Sequence, residues 1–194
     1  MWRFRSNHQE KYVYCPRKLL MPKSDNPILE PTPLRIAAPG TKMVWRRLDG
    51  YQTEQGIIGP VEPDLLAHYS WEGQPRSMYF FGIRCAGEDV VFDHAAYESL
   101  FPLKIGNTVS FARSVEQWRW LNRISVVGTE RLSLKFGEVD TFLVACETEG
   151  QNNPFHVKND IWYAPSIGWN VQFRYRDSRG ESYSWQAVEF IPPH

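Results

Sequence analysis

From residue 41 onward the chain alternates apolar and polar side chains in short runs punctuated by Gly, Pro, Asn and Asp, the period-two signature of half-buried strands. Met43-Val44-Trp45-Arg46-Arg47-Leu48 runs into Asp49-Gly50, a hairpin turn signal, and Thr53 to Ile58 follows as a partner strand. Leu65 to Glu72 reads as a strand closed by Gly73. Arg76 to Cys85 reads as a more apolar one ended by Gly87, and Val90-Val91-Phe92 as a short one. The segments 107–115, 118–127, 131–135, 139–147, 155–163, 171–176 and 182–191 continue the pattern. In the strand from residue 171, Val171, Phe173 and Tyr175 share one face, and Gln172, Arg174 and Arg176 the other, as in a sheet with one wet side. One stretch breaks the period: His94 to Phe101 places Tyr97, Leu100 and Phe101 at i, i+3, i+4, with Asp93 placed to cap and Pro102 to stop a two-turn helix. Successive strands joined by short turns predict an antiparallel meander. The expected fold is mainly β: a curved antiparallel sheet or half-barrel with one short helix and a Pro-rich N-terminal arm.

The arm is residues 1–40, which carry six prolines and little periodicity. Proline removes a backbone donor and disfavours helix at the residue before it, so this stretch reads as extended, ordered where it lies on the body or on a partner. Residues 41–194 form the expected β domain, with two candidate structural halves, 41–103 and 104–191. Within 194 residues there are 28 aromatics (8 Trp, 9 Tyr, 11 Phe), which argues against disorder. Lys and Arg number 22, as do Asp and Glu. That balance excludes a strong global field for nucleic acid or anionic membrane. No apolar run approaches the length of a transmembrane helix, and the N-terminus has positive charges without an apolar segment behind them.

Three clusters in the second half carry a family likeness. They are Phe101-Pro102-Leu103-Lys104-Ile105-Gly106; Gly128-Thr129-Glu130 with Leu134-Lys135-Phe136-Gly137-Glu138-Val139-Asp140-Thr141; and Trp162-Tyr163-Ala164-Pro165-Ser166-Ile167-Gly168-Trp169. Together, over residues 100–190, they resemble a group of bacterial exported proteins similar to the TapB-like proteins and, in fold, to lipoprotein carriers of the LolA and LolB type. Lys135, Phe136 and Glu138 depart from that pattern. The resemblance implies a periplasmic or envelope protein with a concave apolar face; with no visible signal peptide, the cytoplasm is the alternative. Each motif also has a local physical reading. Gly137 suits a turn with positive φ, Asp140 and Thr141 can bond turn amides, and Pro165 and Gly168 bracket a tight change of direction.

The chemistry-bearing residues form no recognised catalytic or cofactor motif. The five histidines are dispersed, no Cys-x-x-Cys occurs, and there is no P-loop, Gly-x-Gly-x-x-Gly or Gly-x-Ser-x-Gly. No metal or cofactor is expected. Cys85 and Cys146 lie in apolar strands, where thiols are inert; a disulfide between them is open in an oxidising compartment. Trp118-Arg119-Trp120, with Arg113 and Arg123 near, interleaves rings and cations as single-strand nucleic-acid binders do, but alternation alone produces the same pattern, and no nucleic-acid partner is expected. The aromatics Tyr79, Phe81, Phe111, Trp118, Trp120, Phe142, Trp162 and Phe173 are the candidate lining of the concave face. The expected function is non-enzymatic: an envelope-type binding or scaffold protein that buries an apolar small molecule or lipid, or a partner segment, on that face. The N-terminal arm or a sheet edge would serve for protein partners. The alternative is a cofactor-less enzyme acting on a small aromatic substrate in the concavity, for which Glu130, Asp140 and Arg123 are the candidate ionisable groups.

Overall fold

Each strand pairs antiparallel with its neighbour in sequence, with two exceptions that define the architecture. The computed structural model describes residues 26–47, 49–61, 66–79, 81, 83–84 and 90–193. Its strands are β1 (Lys42–Arg47), β2 (Gln52–Val61), β3 (Leu66–Trp71), β4 (Gln74–Tyr79), β5 (Ile83–Arg84), β6 (Val90–Phe92), β7 (Thr108–Val115), β8 (Trp118–Leu134), β9 (Gly137–Gly150), β10 (His156–Ala164), β11 (Trp169–Asp177) and β12 (Ser182–Ile191). The helix α1 (His94–Glu98) follows β6. All twelve strands form one sheet in the order β5-β4-β3-β2-β1-β12-β11-β10-β9-β8-β7-β6. The first and last strands are therefore paired, and the open seam falls between β5 and β6.

That order forces curvature. Laid flat, eleven strand spacings would separate the two edges by about 53 Å. Arg84 and Val90 are joined by a chain that reaches at most ~20 Å. Four register shifts help the sheet bend: at Val44/Trp45, Ile57/Gly59, Val126/Gly128 and Trp162/Tyr163. An extra residue in one strand raises local twist and turns the strand. Gly128 belongs to one of these. The sequence reading placed a break at 128–130; instead β8 runs unbroken through the bulge and forms with β9 the longest hairpin of the described chain.

The concave face holds the core. Cross-strand rows read from the register put Val126, Val144, Ile161 and Phe173 side by side, with Ile124, Cys146 and Asn159 in the next row. On the convex face Arg123, Glu147 and Lys158 form a solvated row, with Lys158 Nζ 2.7 Å from Glu147. The helix starts as its sequence suggests: Asp93 accepts a hydrogen bond from Ala96 N at 2.9 Å, satisfying one first-turn donor. Its Tyr97 is buried edge-on between Phe101 and Phe111.

The described part of the N-terminal arm is a strap across one end of the sheet. Thr129 Oγ1 donates to Pro27 O, and Thr32 makes a two-way backbone bridge with Leu103. The hydroxyl of Tyr163 accepts from Arg35 N at 3.0 Å and donates to Arg35 O at 2.8 Å. Ala37 N donates to Gly168 O, and Gly40 N to Ile57 O. Leu29, Leu34 and Ile36 pack against the core, and Ala37 is part of it. The remaining arm, residues 1–25, lies outside the described residues, as does Cys85. Among the described residues no helix is long and apolar enough to cross a membrane.

Candidate functional site

The two ends of the concave face differ. At the strap end, Phe142, Tyr163, Phe81, Leu100 and Leu103 are packed to near-zero exposure. At the other end the hairpin turns β1/β2, β3/β4, β7/β8, β9/β10 and β11/β12 gather, and the aromatic floor reaches solvent. There the β1–β12 pairing sets Arg47 opposite Trp185, and β11–β12 sets Phe173 opposite Trp185 and Tyr175 opposite Tyr183. Tyr175 and Tyr183 stack face to face, with centroids 4.6 Å apart and planes 7° from parallel. Trp71 meets Trp185 edge-on at 5.2 Å, and Trp45 leans on both Trp71 and Phe173. Trp45 and Trp185 are buried, whereas Trp71, Phe173, Tyr175 and Tyr183 remain half-buried. Rings in such a cluster contribute beyond their buried area through edge and offset contacts.

The floor is held from below by one amide. Gln55 Oε1 accepts from the indole N–H of Trp45 at 2.8 Å and from that of Trp169 at 3.0 Å, all three side chains being buried. Its polar margin is set by turn chemistry. Asp177 accepts from the backbone N–H of Arg179 and Glu181 and from the Arg179 guanidinium, and Tyr175 donates to it at 3.1 Å. Burial, reinforced by the Asp177 carboxylate, pushes the Tyr175 phenol up to about 12. Burial likewise pushes Tyr163 up to about 12. Both are neutral hydrogen-bonding rings at ordinary pH. Asn122 lies on the concave face opposite Phe111 and Thr148; Thr148 donates to its oxygen at 3.0 Å, while its buried Nδ2 has no acceptor.

The eight aromatics singled out from the sequence do not converge. Phe173 belongs to the floor. Phe81 stacks on Phe101 and meets Tyr163 edge-on at the closed end, Phe142 lies fully buried opposite Tyr163 there, and Phe111 sits under α1. Trp118 is 41 % exposed at the β7/β8 turn, and Trp120 packs edge-on against Phe155. Trp162 is on the convex face, where Ile161 and Phe173 alternate away from it. Its indole N–H donates to Glu130 at 2.7 Å and the Arg174 guanidinium lies over its ring. Tyr79 ends β4, opposite Leu66 and Ile83. Of the floor residues outside that set, Trp45 alternates within β1, Trp71 within β3, and Tyr183 and Trp185 within β12, a pattern present in the sequence; the pairing of the first strand with the last, which assembles the floor, is not.

The three candidate ionisable groups form no cluster: Glu130 and Asp140 sit one rung apart in the β8–β9 ladder but are engaged by different partners, and Arg123 lies seven residues earlier on β8. Glu130 holds the Trp162 indole. Asp140 makes a two-point contact with Arg131 at 2.6 and 3.1 Å, and that hydrogen bonding holds its carboxyl below the usual range. Asp140 lines an open depression of about 410 Å³ with Leu29 and Pro165; Arg123 lines another of about 360 Å³ beside Phe155 and His156. Asp140 and Thr141 do not bond turn amides as expected. Thr141 Oγ1 donates to Glu130 O across the strands, because both residues sit within the β8–β9 ladder rather than at its turn. Gly137 does take the turn position, at φ 131°. The Cys146 thiol is buried and free, and burial raises its pKa well above the ordinary range. Among the described residues no three His, Cys, Asp or Glu side chains gather as metal ligands would.

No protein-family model matches the sequence, and no curated protein matches it significantly. Solved structures do share its fold. A hypothetical lipoprotein, YmcC from Escherichia coli K12, superposes with a TM-score of 0.50 at 12 % identity, over 80 % of this chain and 86 % of that one. A candidate lipoprotein from Parabacteroides distasonis gives 0.47 at 13 % identity, over 84 % and 100 %. A candidate exported protein with a YmcC-like fold from Bacteroides fragilis gives 0.43 at 14 % identity, over 82 % and 99 %. The fold likeness that carries weight is thus to YmcC, not to TapB, LolA or LolB proteins specifically.

Proposed function

We propose that this chain is a non-enzymatic binding protein of the cell envelope that holds an apolar or amphipathic ligand on the open end of its concave face. The observation that carries the reading is the half-buried floor of Trp71, Phe173, Tyr175 and Tyr183, continuous with buried Trp45 and Trp185. Large apolar surface left accessible on one patch is the usual mark of a binding face. Strand addition is less favoured as the mode of capture, because the edge strands β5 and β6 offer only two and three residues. The description of YmcC as a lipoprotein supports the envelope assignment. Titration with cis-parinaric acid, a fluorescent fatty acid, tests the reading through energy transfer from tryptophan. Saturable transfer at one site, weakened by Tyr183→Ser, is expected. Transfer that stays linear up to the solubility limit, or is indifferent to Tyr183→Ser and Phe173→Ser, overturns it.

A further inference from the structure

One polar contact on the concave face is left half made. Asn122, 2 % exposed, lies between Phe111 on β7 and Thr148 on β9. Its Oδ1 accepts from the Thr148 hydroxyl at 3.0 Å, while its buried Nδ2 has no acceptor among the described residues. A buried N–H without a partner is costly, and most such groups in folded proteins are satisfied. The next inward residues of β8, Ile124 and Val126, are apolar and buried, so alternation alone would place an aliphatic side chain at 122. The amide also adjoins the aromatic floor. Thr148 and Asn159 are the half-buried inward side chains on the two strands between Asn122 and Tyr175, and Asn159 stands directly opposite Tyr175. Three strand spacings, about 14 Å, separate β8 from β11.

From this placement we propose that Asn122 takes the head of a long-chain acyl compound, a carbonyl or carboxylate oxygen, while the chain lies across Asn159 to the aromatic floor. The proposal rests on the ligand reading above and narrows it to acyl ligands. An oxygen with a free lone pair completes the amide. A head that only donates, such as an ammonium, does not, because the Asn122 oxygen is already engaged by Thr148. Nδ2 is enclosed, so the head reaches it as the half-buried Thr148 changes rotamer. The separation of the two strands sets a length: a chain has to span about 14 Å to meet Asn122 and Tyr175 together.

The test is displacement of cis-parinaric acid from the full chain, read by tryptophan energy transfer, with lauric acid, methyl laurate and dodecylammonium as competitors. The acid, or the acid and the ester, should displace it about tenfold more effectively than the ammonium. Displacement by the acid alone assigns a carboxylate head, and by both a carbonyl. Asn122→Leu with Thr148→Val replaces both partners of the existing bond by apolar groups of similar shape, so urea unfolding should show a stability equal to the parent's or higher. In that variant saturable transfer persists, about tenfold weaker, and the preference over the ammonium disappears. Transfer that never saturates in the parent overturns the ligand reading and this proposal with it. Saturable transfer with equal or stronger displacement by the ammonium, or a preference that the double variant keeps, overturns the head assignment alone. So does a marked loss of stability in the double variant, which would show the amide to be satisfied within the fold.

Discussion

Replacing Gln55 by Leu removes one acceptor and strands two buried donors. The side chains are similar in volume, so packing is largely kept, but the indole N–H groups of Trp45 and Trp169 lose their shared partner at 2.8 and 3.0 Å. With both tryptophans at 2 % exposure or less, water cannot replace it. A buried donor left unsatisfied costs roughly 1–3 kcal/mol, so Gln55→Leu is expected to cost about 2–6 kcal/mol. For a chain of this size that corresponds to a fall of about 4–24 °C in Tm. Urea unfolding followed by tryptophan emission measures it, with an unchanged slope confirming that the denatured state is unaltered. Trp169→Phe removes one donor while keeping much of the ring. In that background Gln55→Leu should cost about 1–3 kcal/mol less, and the cycle isolates the coupling from the packing loss. A loss below about 0.5 kcal/mol for Gln55→Leu, the scale of ordinary surface changes, would refute the view that this amide holds the aromatic floor.

Gly168 has φ 75°, and an added Cβ would stand 2.9 Å from Ala37 N, so Gly168→Ala both strains the β10/β11 turn and pushes the strap away. A loss of about 1–3 kcal/mol is expected, with faster limited proteolysis within residues 26–40 than in the parent. Asp140→Asn tests the pair with Arg131. The folded carboxyl titrates below its ordinary 3.8, so its contribution is complete above that pH and disappears as pH falls through the lowered value. Both side chains are more than a third exposed, so the cost near neutrality should be under about 1 kcal/mol and should vanish in acid denaturation begun below that window. Cys146, buried with its pKa raised by desolvation, should resist iodoacetamide at pH 8 in the folded protein and react after unfolding. Peptide mapping by mass spectrometry reads that site directly, and rapid native alkylation there would contradict the burial.

Most strands from residue 107 onward are legible because apolar and polar positions alternate over part of their length and Gly, Pro, Asn or Asp bounds them. Phe173 and Tyr175 against Arg174 and Arg176 is the plainest case, and the register places them as the alternation demands. The helix is legible from the Asp93 cap, but it ends at Glu98 rather than Phe101, so that Leu100 and Phe101 belong to the turn that follows it. The role of Gly128 is not legible, since a glycine in a bulge and a glycine in a turn are the same letter; only the pairing of Gly128 with Leu143 distinguishes them. The strap was hidden for a different reason. Its anchors are backbone contacts to Tyr163, Leu103 and Gly168, residues more than 65 positions away, and prolines reveal only that the segment is extended. The aromatic floor depends on β1 meeting β12, a pairing that loop-closure entropy penalises and that local periodicity does not encode.

The position of the seam explains why these remote contacts matter together. A meander of twelve strands whose first and last members pair has to leave its gap elsewhere, and here it falls between the two shortest strands. Short edges offer few unpaired backbone groups, so the gap is a weak template for unwanted strand addition. Beyond β6 the chain turns at once into α1, which with the turn after it buries Tyr97 and Leu100 in the concave face. The β1–β12 ladder then carries the join between the two runs of strands, and it is along this ladder that Trp45, Arg47 and Trp185 meet. Loss of that ladder would divide the sheet and dismantle the aromatic floor in the same event. Stability and the proposed binding face therefore rest on the same side chains, and substitutions in the floor should be judged by unfolding free energy before any change in binding is assigned to lost contact.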